Sequence, residues 1–432
     1  MRIAVIGAGI AGNSAAWALS EKHQVVLYEK RLRPGGHSAT VDIDYDGSPM
    51  SVDTGFIVYN ELNYPNFTAL LDHLNVKTEA SDMSFGFSGN NGRMEWAGTS
   101  LNTVFAQRRN IASPRFLRML REIFKFNKKA PTDLTSGRLY GRSLGEYLET
   151  EGYSEAFVND YLLAMGAAIW STPLNQMRDY PAESFIAFFD NHRLIHTDRP
   201  LWRTVSGGSR NYVAKLLAPL SGHIRLGAQV VGVRRENGIV HVTDSSGETD
   251  TFDQIILASH TDQSLAMLDD PSPQERALLS AMRYRPNDVY LHRDERLMPK
   301  RKRVWSSWNF MADVGNTPED DVTVSYWMNR LQNIDRSKPI FVTLNPKTPP
   351  AADRTFARFT YDHPQFDAAA LDAKRRLDII QGVNNTWYCG AWAANGFHED
   401  GIASGLAVAR ALGGTVPWDV APAAEAILEA AE

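Results

Sequence analysis

The chain opens on the arrangement that most constrains its fold, "RIAVIGAGIAGNSAAWALSEKHQVVLYEK". Ile3 to Ile6 is a short apolar run of β-formers, suited to a parallel strand buried on both faces. Gly7, Gly9 and Gly12 follow at once, and Ser14 to Ser20 continues as a helix of small residues. In this spacing the three glycines make the tight turn, let the backbone approach a pyrophosphate, and allow close helix–strand packing. A second strand, Gln24 to Tyr28, ends at Glu29, whose carboxylate is placed to accept hydrogen bonds from a ribose diol. A lone glycine triplet is an ordinary turn. With strand, turn, helix, second strand and terminal acid in sequence, the segment predicts a dinucleotide site that includes Gly7, Gly9, Ile10, Ala11, Gly12, Glu29 and Lys30.

At 432 residues the chain is long enough for two or three domains. Its 43% hydrophobic and 22% charged residues are ordinary for a globular protein, and no apolar run is long enough to span a bilayer. The single cysteine, Cys389, excludes an internal disulfide and a multi-cysteine metal site, and it fits a reducing compartment. We therefore expect a cytoplasmic protein. Its net charge of −5 and lack of a recognition motif argue against nucleic acid as a partner.

After Glu29 comes the glycine doublet Gly35–Gly36, then His37 and Ser38; a strand then returns to Asp53, Thr54, Gly55, Phe56 and Ile57. Later segments are "WRTVSGGSRNYVAKL" with Gly207–Gly208, the alternating run "HIRLGAQVVGVRRENGIVHVTDSSGETDTFDQIILASH", and "TWYCGAWAANGFHEDGIASGLAVARALGG". In this order the segments resemble the flavin amine oxidase and carotenoid desaturase superfamily. The resemblance implies an α/β fold: a discontinuous Rossmann-like FAD-binding domain with an inserted α+β substrate domain. The expected FAD domain comprises residues 1–89, 201–270 and 365–414, the substrate domain 90–200 and 271–364, and 415–432 form a tail.

The resemblance also implies noncovalently bound FAD. Gly36, His37, Ser38, Thr54, Gly55, Phe56 and Ile57 would contact it, the backbone at Val230 would hold adenine, and Gly390 would approach it closely. Asp400, Gly401 and Ile402 would begin a helix aimed at the flavin pyrimidine ring. His37 stands where the family often has Arg, which removes a guanidinium fork. Ala391 stands where amine oxidases usually have an acid and carotenoid-type desaturases commonly have a small residue, which favours the desaturase branch.

The whole pattern is similar to bacterial oxidoreductases encoded beside cyclopropane-fatty-acid-synthase-like methyltransferases and connected with methyl-branched and furan fatty acids. This implies dehydrogenation of a phospholipid acyl chain, with a methyltransferase as a possible partner. A flavin amine oxidase and a non-catalytic FAD-binding partner remain as alternatives. In "FHEDG", His398 and Glu399 are candidate bases and Asp400 a candidate cap; His192 is a further candidate. Eight aromatics, Trp170, Phe185, Phe188, Phe189, Trp202, Trp308, Tyr326 and Trp327, could line a long apolar cavity or fill the core.

One segment stands apart. "PRFLRMLREIFKFNKK", residues 114–129, carries six cations and one acid in an acidic protein. On a helical wheel its apolar residues, Phe116, Leu117, Met119, Leu120, Ile123, Phe124 and Phe126, fall within roughly half a turn. Arg115, Arg118, Arg121, Glu122, Lys125, Lys128 and Lys129 take the other half. This pattern predicts a peripheral helix lying in an anionic membrane, on the inner membrane face, with "PKRKR" at 299–303 and Trp305 as a second contact. The competing expectation is a solvated basic face on a helix packed into the substrate domain.

Overall fold

A computed structural model of the chain describes residues 1–312 and 322–418. Its first sheet is wholly parallel, in the spatial order Ile224–Leu226, Gln24–Glu29, Arg2–Ile6, Gln254–Leu257, Thr386–Tyr388. The strand period of two sorts Arg2–Ile6 between two cores. Ile3 and Val5 face helices Ile10–Leu19 and His398–Ala411, while Ala4 and Ile6 face the antiparallel meander Val230–Glu236, Ile239–Asp244, Thr249–Phe252. Burial on both sides explains why this strand reads as unbroken apolar sequence. The two helices approach so closely because their contact is made of small residues: a Cβ on Gly405 would lie 2.2 Å from the Ala11 carbonyl oxygen. Cys389 is buried, and burial pushes its thiol up to about 12, so it is chemically quiet.

The second, seven-stranded sheet runs Thr355–Gln365, Arg283–His292, Phe341–Leu344, Thr323–Trp327, Trp308–Ala312, Phe85–Gly89, Met94–Ala97. It is antiparallel except where Trp308–Ala312 pairs with Phe85–Gly89. Helices Pro114–Thr135, Leu144–Thr150, Leu163–Trp170 and Ala182–Asn191 accompany it. This places Phe85–Gly89 in the inserted layer, so a boundary at residue 89 cuts a hairpin. The hairpin's hydrogen-bond partner, Trp308–Ala312, lies more than two hundred residues downstream, and local pattern carries no sign of it.

The start of the expected tail is also tied down. Thr415 N–H donates to Ala18 O, and Trp418 stacks on Trp17 and donates to Asn66 Oδ1 at 3.2 Å. Residues 419–432 lie outside the described residues.

Helix Pro114–Thr135 forms as its pattern predicts, capped by Ser113, whose hydroxyl accepts from Phe116 N–H. Its orientation revises the expected membrane face. Phe116 is wholly buried with Met119, Phe126 and Ala130, and Leu120 is half-buried, so these side chains belong to the core. Several cations are engaged: Arg115 with Asp160 at 2.5 Å, Arg118 with Glu122 at 2.9 Å, and Lys129 with Glu151 and Asp133. Lys125 donates to Glu151 O and sits over the Tyr153 ring. Glu122, placed on the polar half by the wheel, is buried and takes hydrogen bonds from Ser154 as well. Trp305 is likewise buried, and Arg301 of the "PKRKR" stretch pairs with buried Glu95. No helix among the described residues is long and apolar enough to cross a membrane.

Candidate flavin site

A cavity of about 700 Å³ opens along the carboxyl edge of the parallel sheet, the edge where such sheets bind ligands. Gly7, at φ +106°, turns the chain out of its strand, and its N–H donates to Tyr28 O. Gly9 has open space where a Cβ would be, so the backbone there forms the floor of a cradle. The doublet closes over this turn: Gly35 N–H donates to Ala8 O at 2.6 Å, and a Cβ on Gly36 would touch Gly9 Cα at 3.0 Å. Arg33 fastens the doublet by donating to the carbonyls of Pro34, Gly36 and Ser38.

Glu29 is buried at the second strand's end. Its Oε2 accepts from Ala8 N–H and its Oε1 from Arg31 N–H, both at 2.9 Å. An ionised carboxylate has further lone pairs, so it can still receive a diol. Lys30, Arg31 and Val230 line the same end.

Of the residues expected at the cofactor, Gly7, Gly9, Ile10, Ala11, Glu29, Lys30, Gly36, His37, Thr54, Gly55, Phe56, Ile57, Val230 and Gly390 line the cavity. Six others, counting the candidate base Glu399, are displaced from it. Gly12 lies beneath the turn, where a Cβ would sit 1.9 Å from Gly7 O. Ser38 is buried and shares a 2.5 Å hydrogen bond with Tyr212 Oη. Asp400 does help to cap, but from inside the first turn, its Oδ2 accepting from Phe397 N–H and Asn395 N–H. Gly401 N–H is committed to Phe397 O, and Ile402 packs in the helix-layer core. These residues shape the wall from behind.

The two candidate bases part company. Glu399 points away from the cavity and accepts from Asn66 N–H (2.9 Å), Phe67 N–H (3.0 Å) and Asn66 Nδ2 (2.8 Å). It thereby caps helix Pro65–His73, whose own N-cap, Tyr64, supplies no side-chain acceptor. Burial pushes its carboxyl up to about 7 against the pull of those donors. His398 does line the cavity, stacked on Phe56 at 3.7 Å with Nε2 2.8 Å from Tyr212 Oη. Burial lowers its pKa to about 3, so the imidazole is neutral and too weakly basic for general-base work near neutrality. Its place is to order Phe56 and Tyr212. His192 lines the cavity, stacked on Phe188, and burial lowers it to about 4.

Two further wall residues, His260 and His363, were not expected from the sequence. His260 stacks on Tyr284 just beyond strand Gln254–Leu257, and the His37 ring lies 5.8 Å from His363. A histidine following a strand at the carboxyl edge is the one hint available for His260. His37 Nε2, His260 Nδ1 and Trp308 Nε1 are buried without a hydrogen-bond partner among the described residues. Of the eight aromatics, Phe188, Trp202, Trp308 and Tyr326 line the cavity; Trp170, Phe185, Phe189 and Trp327 do not, and fill the packing behind it.

The parallel sheet, the open turn at Gly9, the buried ribose acid and these orphaned ring nitrogens together suit a dinucleotide with an extended ring system. Pyrophosphate would rest on the N–H groups beginning helix Ile10–Leu19, and the N-terminal turn of helix His398–Ala411 also borders the cavity through Phe397 and His398. The fold and site thus define a dinucleotide-dependent oxidoreductase.

The profile described as flavin containing amine oxidoreductase matches residues 10–348, and the chain belongs to that family, with FAD as its cofactor. Among solved structures, a CLA-producing fatty acid isomerase from P. acnes aligns with 95% of this chain and 98% of its own, at 16% identity and a TM-score of 0.66. Putrescine oxidase bound to putrescine gives 95%, 99%, 16% and 0.66. Cyclohexylamine oxidase from Brevibacterium oxydans IH-35A gives 95%, 99%, 13% and 0.64. No curated protein sequence matches the chain significantly. When bound, the flavin supplies the hydride acceptor, and the protein positions the carbon that gives the hydride up.

Proposed function

We propose that the protein dehydrogenates a lipid acyl chain, a methyl-branched unsaturated phospholipid fatty acid, by hydride transfer to FAD. The observation that carries this reading is the lining of the cavity arm beyond the nucleotide end. Met83, Ile169, Phe188, His192, Leu194, Trp202, Trp308, Tyr326 and Leu344 form it, without a carboxylate, ammonium or guanidinium. The charged lining residues are Glu29, Lys30 and Arg31 at the ribose acid, and Asp362, which acts on His260 and His363.

Apolar and aromatic walls hold an alkyl chain by burial alone, whereas a cationic substrate would lose solvation there without an anionic partner. The fold accommodates acyl substrates elsewhere, as the fatty acid isomerase illustrates. Its amine-oxidising neighbours make amines the comparison class. A methyltransferase that installs the branch is the partner this reading calls for.

The test follows bound-flavin absorbance without oxygen. Vesicles of phospholipids with unsaturated or methyl-branched chains should bleach the flavin, and a panel of alkyl amines should not. Bleaching by amines alone would overturn the assignment. Flavin that stays oxidised with both would point to the non-catalytic alternative.

A further inference from the structure

The packing of helix Pro114–Thr135 leaves an outward stripe different from the apolar half that its sequence suggests. Leu117, Arg121, Phe124 and Lys128 follow one another at i, i+4, i+7 and i+11, so they fall within about 60° of helix surface. Phe124 is 75% exposed and Leu117 43%. Arg121 and Lys128 have neither ion pair nor hydrogen bond among the described residues, although the cations flanking them are engaged. The helix's single glutamate is turned inward. Ile111, just before the helix, and Leu101 are exposed as well, at 54% and 77%.

We propose that this stripe is a docking surface for an anionic lipid bilayer. Two apolar side chains seven residues apart stand about 10 Å apart along the axis, so a flat surface receives both together. Between and beyond them, Arg121 and Lys128 have long stems that let the charge reach headgroups while the methylenes stay among acyl chains. Protein partners seldom offer a flat, uniformly acidic, deformable face, whereas an anionic leaflet offers all three. Nucleic acid would meet a protein of net charge −5 through the two cations of this stripe that lack partners among the described residues.

The stripe is also well placed. The helix packs on Ala182–Asn191, which carries Phe188, and His192 at its C-terminal cap, into the cavity wall, so one helix separates the docking surface from the apolar arm. Docking stands apart from the acyl-chain assignment because it concerns binding alone.

The experiment is co-sedimentation of the FAD-loaded protein with vesicles of saturated phosphatidylcholine, with and without about one-third phosphatidylglycerol. Saturated chains leave the flavin oxidised, so a failure of docking and a failure of the substrate assignment remain separable. Binding should need the anionic lipid and weaken with salt. The Arg121→Gln/Lys128→Gln double variant should lower partitioning by about thirtyfold. Phe124→Ser should lower it too, while removing the same charge at exposed Arg276 and Arg375 should not. Flavin content of each variant checks that it folds. Absence of binding to anionic vesicles, or undiminished binding of the double variant, overturns the proposal. So does a Phe124→Ser variant that instead abolishes self-association in solution, which would make the stripe a contact between copies.

Discussion

Replacing Glu399 separates the two roles that sequence and structure give it. Its carboxylate satisfies two buried backbone N–H groups and one side-chain amide at the start of helix Pro65–His73. Glu399→Ala leaves all three without an acceptor, and buried donors cost about 1–3 kcal/mol each when orphaned, so a loss of about 3–5 kcal/mol is expected after local relaxation. Glu399→Gln retains an oxygen for Asn66 but turns an amide toward Phe67 N–H, leaving one donor unmet at about 1–3 kcal/mol. With an unfolding entropy of about 2 cal/mol/K per residue, each kcal/mol lowers the midpoint by about 1 °C in a chain this long that melts as one unit. Thermal scans of flavin-loaded protein should therefore show Glu399→Ala several degrees below the parent and Glu399→Gln between them, with flavin content and flavin reduction per folded molecule maintained. A Glu399→Gln variant of parental stability that no longer reduces its flavin would refute the capping account and restore the carboxylate as a base.

Gly9→Ala should fold normally, because its Cβ meets nothing in the protein, yet purify without flavin; Gly12→Ala, whose Cβ would strike Gly7 O, should instead lower the melting temperature. Absorbance ratios and thermal scans read both. Burial holds His37 well below its usual range and His363 at about 4, with neighbouring histidines pushing the same way. An anionic ligand in the cavity would favour their protonation, so FAD should bind more weakly as pH rises from about 4 toward the ordinary histidine value of 6.5, by at most about tenfold per unit for each proton taken up. A titration giving one dissociation constant across that range would contradict this. Lys374 is half-buried, donating to Ala394 O over the Phe366 ring, and desolvation lowers it to about 8 from its ordinary 10.5, opposed by Asp400. The folded state binds its proton less well than the unfolded chain, so this lysine should add stability as pH climbs from 8 toward 10.5, and Lys374→Met should remove that rise from a denaturation series.

Much of the nucleotide end was legible because its constraints are local. Gly7, Gly9, Gly36 and Glu29 act through backbone conformation or a single carboxylate, and spacing along one strand–turn–helix places them. The substrate side was not, since Phe188 and Phe185 are three residues apart on one helix and only long-range packing decides which meets the cavity. The same limit turned Phe116 inward and Phe124 outward on a helix whose wheel groups them together. In "FHEDG" the titratable residues were visible but their directions were not: adjacent His398 and Glu399 serve opposite sides of one helix start, and the donors to Glu399 lie over three hundred residues earlier.

The parallel sheet has a consequence for synthesis. Of its five strands the central one, Arg2–Ile6, is made first, yet the edge strand Thr386–Tyr388 and the helix His398–Ala411, whose first turn borders the cavity, are made last. Until the chain has emerged through Ala411, the glycine turn has no His398–Ala411 helix beside it, and the inserted domain must wait folded or held by chaperones. Flavin capture then waits on the last helix of the parallel-sheet layer. A truncated or stalled polypeptide would stay colourless and short-lived, and the yellow of the loaded protein would report that translation had run far enough to close the site.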